Sequence, residues 1–112
     1  MKLSDVMETL SLRTFTPVAD PAIEINGGYC GDLLSHVLAA ATPGDLWITI
    51  QHHANVVAVA QVAGISAVII ADGKEPGEAA VERARSGGIT LLGTEESAFE
   101  TSGRLHHALA VR

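Results

Sequence analysis

Residues 46–92 decide the fold, and they read LWITIQHHANVVAVAQVAGISAVIIADGKEPGEAAVERARSGGITLL. Three apolar, β-branched runs alternate here with two segments of helical pattern. The predicted strands are Leu46–Ile50, Ala67–Ile70 and Ile89–Leu92, and the predicted helices are Asn55–Ala63 and Glu78–Arg85. Strands that alternate with helices at this spacing are typical of βαβ units. The sequence therefore predicts an α/β fold with a small, mostly parallel sheet flanked by helices.

The flanking segments continue the same alternation. The further predicted elements are a helix at Leu3–Leu10, short strands at Arg13–Thr16 and Ile23–Ile25, a helix that Asp32 caps and that runs to Ala41, and a last helix capped by Thr94 or Ser97. Such a chain of 112 residues shows no internal repeat or linker, so we expect one domain over residues 1–112.

Composition and charge narrow the possible partners. Thirteen acidic against seven basic residues give a formal charge of −6, which argues against nucleic acid or an anionic membrane as the main partner. The single cysteine, Cys30, has no internal disulfide partner, and no secretory signal is visible, so we expect a cytoplasmic protein. Residues 46–71 carry no charge, but polar residues such as Gln51 and Asn55 interrupt the run, which is unlike a membrane-spanning helix.

A candidate ligand site follows from the predicted sheet. Ligands of open α/β sheets bind at the carboxyl ends of parallel strands. The residues that follow the predicted strands, and that we assign to ligand binding, are Asn26, Gly27, Gly28, Gln51, His52, His53, Asn55, Asp72, Gly73 and Thr94. A small polar ligand is expected there. The alternative is that these are the turn and cap residues that any α/β protein needs.

The known catalytic and cofactor motifs are missing from the sequence. Gly27–Gly31 matches neither a P-loop nor a dinucleotide fingerprint, and the lysines are confined to Lys2 and Lys74. The adjacent histidine pairs, 52–53 and 106–107, diverge too far to chelate a metal, and no Cys-x-x-Cys is present. We therefore assign no catalytic residue, no metal and no cofactor, and do not expect an enzyme.

Two alternatives use Cys30. It lies just before a predicted helix, a position that lowers a thiol pKa, and His52 or His53 is a candidate base for it. That pair would make a Cys/His enzyme or a redox sensor. The other alternative is a metal or cluster carrier whose site is assembled in space from the same residues.

The predicted helix at Asn55–Ala63 is apolar on every side, with only Asn55 and Gln61 polar. A helix of this kind must be covered on every side. A second subunit would supply the cover, so a homodimer is expected. The alternative is complete burial within one chain.

Several segments resemble the DRTGG domain family, in order and over nearly the whole chain. They are Asn26–Leu34, Trp47–Gln51, Asn55–Ala60, Ala67–Ile70, Gly88–Thr94 and Ser97–Glu100. The family is similar to the N-terminal domain of bacterial HPr kinase/phosphorylase. The resemblance implies that α/β fold and a non-catalytic regulatory or assembly domain, often dimeric. In small free-standing versions it implies a protein partner such as iron-only hydrogenase or another iron–sulfur protein.

The residues that give the family its name differ in this chain. His52-His53 stand where the Asp-Arg pair falls, and Ala71-Asp72-Gly73 stand where Thr-Gly-Gly falls. The role of those residues in the family is therefore not carried over. Loss of the arginine in particular argues against phosphate binding at that point.

Overall fold

A five-stranded sheet forms the centre of the molecule in the computed structural model, which describes residues 1–111. The strands are β1 (Arg13–Thr14), β2 (Gly28–Cys30), β3 (Leu46–Thr49), β4 (Ala67–Ile70) and β5 (Leu91–Gly93). Their order across the sheet is β1-β5-β4-β3-β2, with β2 to β5 parallel and β1 antiparallel to β5. The predicted α/β class with a mostly parallel sheet is confirmed.

Helices cover both faces of the sheet. They are α1 (Leu3–Thr9), α2 (Leu34–Ala40), α3 (Ala54–Ala63), α4 (Glu78–Gly87) and α5 (Ala98–Ala110). Helices α2, α3 and α4 pack side by side in one layer, with α3 in the middle. On the other face α5 lies over β2 and β3, and α1 packs against α5.

Alternation along the strands divides the interior into two cores. Trp47 and Val68 face the layer of α2, α3 and α4, whereas Ile48 and Ile69 face α1 and α5. Successive side chains of a strand point to opposite faces, so a strand covered on both faces is apolar at every position. This explains why β3 and β4 are buried throughout.

The first predicted parallel strand is misplaced. Residues 23–25 alternate like a strand but lie beside the amino terminus, where Leu3 N donates to Ile23 O and Ile25 N donates to Met1 O. The sheet strand is β2, which begins at Gly28. Residues 23–25 are extended because they pair with residues 1–3, outside the sheet.

Helix α3 ends where the sequence predicted, α4 begins at the predicted Glu78, and Ser97 caps α5 as one of its two predicted caps. Gly64 and Gly88, with φ of +71° and +70°, close α3 and α4 in the left-handed conformation that glycine adopts readily. The predicted caps Asp32 and Asn55 are wrong, because Leu33 and His53 occupy those positions without a side-chain cap.

The apolar helix α3 is covered largely within the chain. Val56, Val57 and Ala60 are buried against the sheet, and α2 and α4 flank the helix. Val62 remains 79% exposed. Neighbouring elements of the same chain therefore account for the composition of α3, and a homodimer is not needed to explain it. None of the helices in residues 1–111 is both long and apolar enough to span a bilayer.

Candidate functional site: the carboxyl edge and the β2–α5 cavity

Most of the predicted site residues lie together at the carboxyl edge of the sheet. Gln51, His52, His53 and Asn55 follow β3, Asp72 and Gly73 follow β4, and Thr94 follows β5. Since these strands are parallel neighbours, their outgoing loops are adjacent. The structure brings these residues to one edge, as the sequence predicted.

Asn26, Gly27 and Gly28 lie at the opposite edge, and their predicted place at the carboxyl edge is wrong. Gly28 is the first residue of β2 and pairs with Leu46, the first residue of β3. Leu46 N donates to Gly27 O at 3.1 Å. The reason is the misplaced strand, because the three residues precede the true strand instead of following it.

Asp32 links the ends of β2 and β3 and was missed as a site residue. Its Oδ1 accepts hydrogen bonds from the hydroxyl of Thr49 at 2.7 Å and from Ile50 N at 2.9 Å. Its carbonyl oxygen accepts a bond from Gln51 Nε2 at 2.9 Å. In the sequence Asp32 is an acidic residue directly after the glycine-rich segment 27–31. The sequence analysis interpreted this residue as a helix cap.

The loops after β4 and β5 are also joined to each other, in their case by backbone hydrogen bonds. Asp72 N donates to Glu96 O at 2.7 Å, and Gly73 N donates to Thr94 O at 2.9 Å. Asp72 and Gly73 are both left-handed, with φ of 64° and 68°. The cleft that His52 and His53 line nearby has an open volume of about 0 Å³. Hydrogen bonds thus join the loops of the carboxyl edge, and the cleft beside His52 and His53 has no open space for a ligand.

Carboxylates dominate the charge at this edge. Asp32, Asp72, Glu95 and Glu96 all lie in these loops. Arginines already pair with two of them, since Arg13 lies 3.3 Å from Glu95 and Arg104 lies 2.7 Å from Glu96. An acidic edge of this kind disfavours an anionic ligand.

A cavity of about 440 Å³ lies between β2 and α5. Its lining residues are Asn26, Gly27, Gly28, Tyr29, Cys30, Ile48, Ser102, Leu105, His106, Leu109 and Ala110. Among these described residues none is Asp, Glu, Lys or Arg. Three predicted site residues thus line a cavity, although not at the predicted edge.

Close packing of α5 on β2 shapes this cavity. A Cβ on Gly28 would lie 2.9 Å from Cδ2 of Leu105. Glycine at this position lets the helix approach the strand, and it shows that positions 28 and 30 face α5. Sequence reasoning missed Ser102, Leu105 and Leu109, because nothing in the sequence tells which strand α5 covers.

The structure separates Cys30 from the histidines proposed as its base. Cys30 lines the β2–α5 cavity together with His106, whereas His52 and His53 lie at the start of α3 on the other side of the sheet. Within residues 1–111 no group of three or more His, Cys, Asp or Glu side chains is arranged to hold a metal ion. The geometry gives no support to the Cys/His enzyme or to the cluster carrier.

No family model and no curated protein matches the chain. Among solved structures it resembles the CBS and DRTGG domains of the regulatory region of Clostridium perfringens pyrophosphatase, which was crystallised with the activator diadenosine tetraphosphate. The TM-score is 0.71 at 19% identity. The similarity covers 93% of this chain and 45% of that one, so this chain corresponds to less than half of that region. The match establishes that this chain shares its fold with part of a region that contains CBS and DRTGG domains.

Proposed function

We propose that the chain is a regulatory domain of the DRTGG type that binds a small, uncharged ligand and catalyses no reaction itself. The observation that carries this proposal is the cavity between β2 and α5. A volume of about 440 Å³ lies within the range of ligand pockets, which is roughly 300–1,000 Å³. Known pockets are mostly apolar with a few polar groups that orient the ligand, and this cavity has the same character.

The lining residues define the chemistry of the ligand. Ile48, Leu105 and Leu109 supply apolar contact area, and Asn26 and His106 supply hydrogen-bonding groups. No described lining residue offers a formal charge to a phosphate or to an ammonium group. We therefore favour this cavity over the acidic carboxyl edge that the sequence analysis had proposed as the ligand site.

The solved relative supports a regulatory role and a class of ligand. That regulatory region was crystallised with an activator that contains two adenosines and a tetraphosphate. The uncharged cavity of this chain suits a nucleoside or a base better than a phosphate chain, which prefers arginine and lysine. Adenosine is therefore the first ligand to test.

The proposed regulation acts through protein contacts. We propose a cytoplasmic homodimer that controls or helps to assemble a partner protein. The DRTGG resemblance suggests iron-only hydrogenase or another iron–sulfur protein as that partner.

Thermal unfolding in the presence of candidate ligands tests the proposal. Adenosine, AMP, ATP and diadenosine tetraphosphate are added over a concentration series to the whole chain. A ligand of the folded state raises the midpoint of unfolding with increasing concentration. Adenosine is expected to do so, and equal midpoints for the whole panel would contradict the proposal.

A pair of tryptophan variants locates the site. Ala110→Trp fills the cavity with a bulky side chain from the last residue of α5 and is expected to abolish the response. Ala79→Trp places the same side chain on the exposed surface of α4 and is expected to keep it. An Ala110→Trp variant that responds like the wild type would place the site elsewhere.

A further inference from the structure

The two edges of the sheet differ in how they are protected. At one edge β1 is two residues long, carries Arg13 and is soon followed by Pro17. Short strands, charges and prolines are the usual protection of an edge against pairing with another chain. At the other edge β2 contains only Gly28, Tyr29 and Cys30, none of them charged. The β2 edge is also short, but it lacks the charge and the nearby proline that protect the β1 edge.

The backbone of β2 presents hydrogen-bonding groups to this open edge. Leu46 N donates to Gly27 O and Gly31 N donates to Ile48 O, so residues 27 and 31 face β3. Hydrogen bonding alternates along a strand, which turns the N–H and C=O groups of Gly28 and Cys30 away from β3. No other strand of residues 1–111 lies on that side.

The surroundings of this edge carry few charges, and those present already have hydrogen-bond partners. Within residues 26–43, Asp32 is the only Asp, Glu, Lys or Arg, and Thr49 and Ile50 bond its carboxylate. The carboxylate of Asp45 lies beside Gly27 and accepts a hydrogen bond from Thr42 N at 2.9 Å. Helix α2 is the outermost helix of its layer, and Leu33 before it and Leu38 on it are 68% and 48% exposed. Exposed apolar side chains on an uncharged surface are typical of protein interfaces.

We propose that the β2 edge pairs with the β2 edge of a second copy of this chain, in antiparallel orientation. The partner at this edge is inferred from charge. Each copy of the chain has a net charge of −6, so two copies repel each other unless they meet through a surface with little charge. A basic partner would instead favour one of the acidic surfaces. The β2 edge is thus the surface through which the proposed homodimer would form, and this inference rests on that homodimer.

The pairing has a defined register. A two-fold axis at Tyr29 places Gly28 opposite Cys30 of the partner subunit, and each such pair exchanges two backbone hydrogen bonds. The sheet then continues from one copy into the other. Positions 28 and 30 face α5, so the partner's strand lies beside the ligand cavity.

Proline substitution at the two edges tests the interface. Cys30→Pro removes an N–H that faces outward, so the pairing of β2 with β3 is retained. Thr14→Pro makes the matching change at the β1 edge, where Thr14 faces away from β5, and Cys30→Ala keeps the N–H. In sedimentation equilibrium the wild type, Thr14→Pro and Cys30→Ala are expected to be dimers. Cys30→Pro is expected to raise the dimer dissociation constant at least about tenfold.

Two outcomes of sedimentation overturn the proposal. One is a wild type that sediments as a single chain at every concentration. The other is a folded Cys30→Pro that dimerises as tightly as the wild type, which would move the interface elsewhere. Ligand binding is tested separately, by the thermal unfolding of Ala110→Trp and Ala79→Trp. Failure of the interface and failure of ligand binding are therefore distinguishable.

Amide hydrogen exchange of the wild type supplies a second measurement that does not depend on the folding of a variant. The amides of Gly28 and Cys30 are expected to exchange more slowly as protein concentration and dimer fraction rise. The Thr14 amide at the β1 edge is expected to exchange at a constant rate. Equal rates for Gly28 and Cys30 in monomer and dimer would overturn the proposed surface.

Discussion

The carboxylate of Asp32 accepts a hydrogen bond of 2.7 Å from the hydroxyl of Thr49, a residue with 0% exposure. The same oxygen accepts a bond from Ile50 N at 2.9 Å. The loop after β2 is thereby fixed to the end of β3. This bond joins two of the loops that form the carboxyl edge.

Removing this carboxylate is expected to destabilise the fold. Asp32→Ala leaves the buried Thr49 hydroxyl without its acceptor, which costs about 1–3 kcal/mol of unfolding free energy. Asp32→Asn keeps an oxygen and is expected to lose less. Urea denaturation measures both. Thr49→Val in the Asp32→Ala background is the control. It removes the unsatisfied hydroxyl but also the acceptor of Gln51 N, which lies 3.1 Å from that oxygen, so it is expected to regain only part of the loss.

A second hydroxyl connects the segment after β1 to β5 and the residues just before it. Buried Thr16 accepts a hydrogen bond from Leu91 N at 2.9 Å and donates to Ile89 O at 3.2 Å. Thr16→Val is expected to lower the unfolding free energy by about 1–3 kcal/mol, since a buried N–H loses its acceptor. Exposed Thr14→Val is the control, expected to change it by less than about 0.5 kcal/mol. An equal change in unfolding free energy for Thr16→Val and Thr14→Val would show that the Thr16 hydroxyl does not stabilise the fold.

Two glycines are expected to respond to alanine in opposite directions. A Cβ on Gly93 would lie 2.7 Å from Cζ of Phe15, so Gly93→Ala is expected to cost about 1–3 kcal/mol through overpacking. Gly103 lies inside α5 with nothing within 4 Å, so Gly103→Ala is expected to gain about 0.5–1 kcal/mol. Thermal or urea unfolding measures both, and a stabilising Gly93→Ala would contradict the close packing of β1 on β5.

Ligand binding is expected to be nearly independent of salt. The described lining of the β2–α5 cavity has no formally charged side chain, and screening acts on charge pairs. Adenosine affinity measured by calorimetry in low and high salt is expected to differ by less than about threefold. A steep loss of affinity with salt would indicate a charged site instead.

Patterns within a segment predicted the fold class, whereas contacts between distant segments decided the site. The continuous apolar run of β3, whose Trp47 and Ile48 face different cores, made that strand recognisable in the sequence. Strand β2 was not recognisable, because three residues that include a glycine show no apolar alternation. The contact of Gly28 with Leu105 joins distant parts of the chain and carries no local signal. The cavity that depends on this contact was therefore not predictable from the sequence.

The division of the interior by the sheet has a consequence for signalling. Leu105 belongs to the core beneath α1 and α5, and Trp47 belongs to the separate core beneath α2, α3 and α4. A ligand bound in the proposed β2–α5 site would contact the first core through Ile48 and Leu105, and the second core only through Tyr29. We therefore expect such a ligand to act mainly on α5 and to leave the opposite three-helix layer in place.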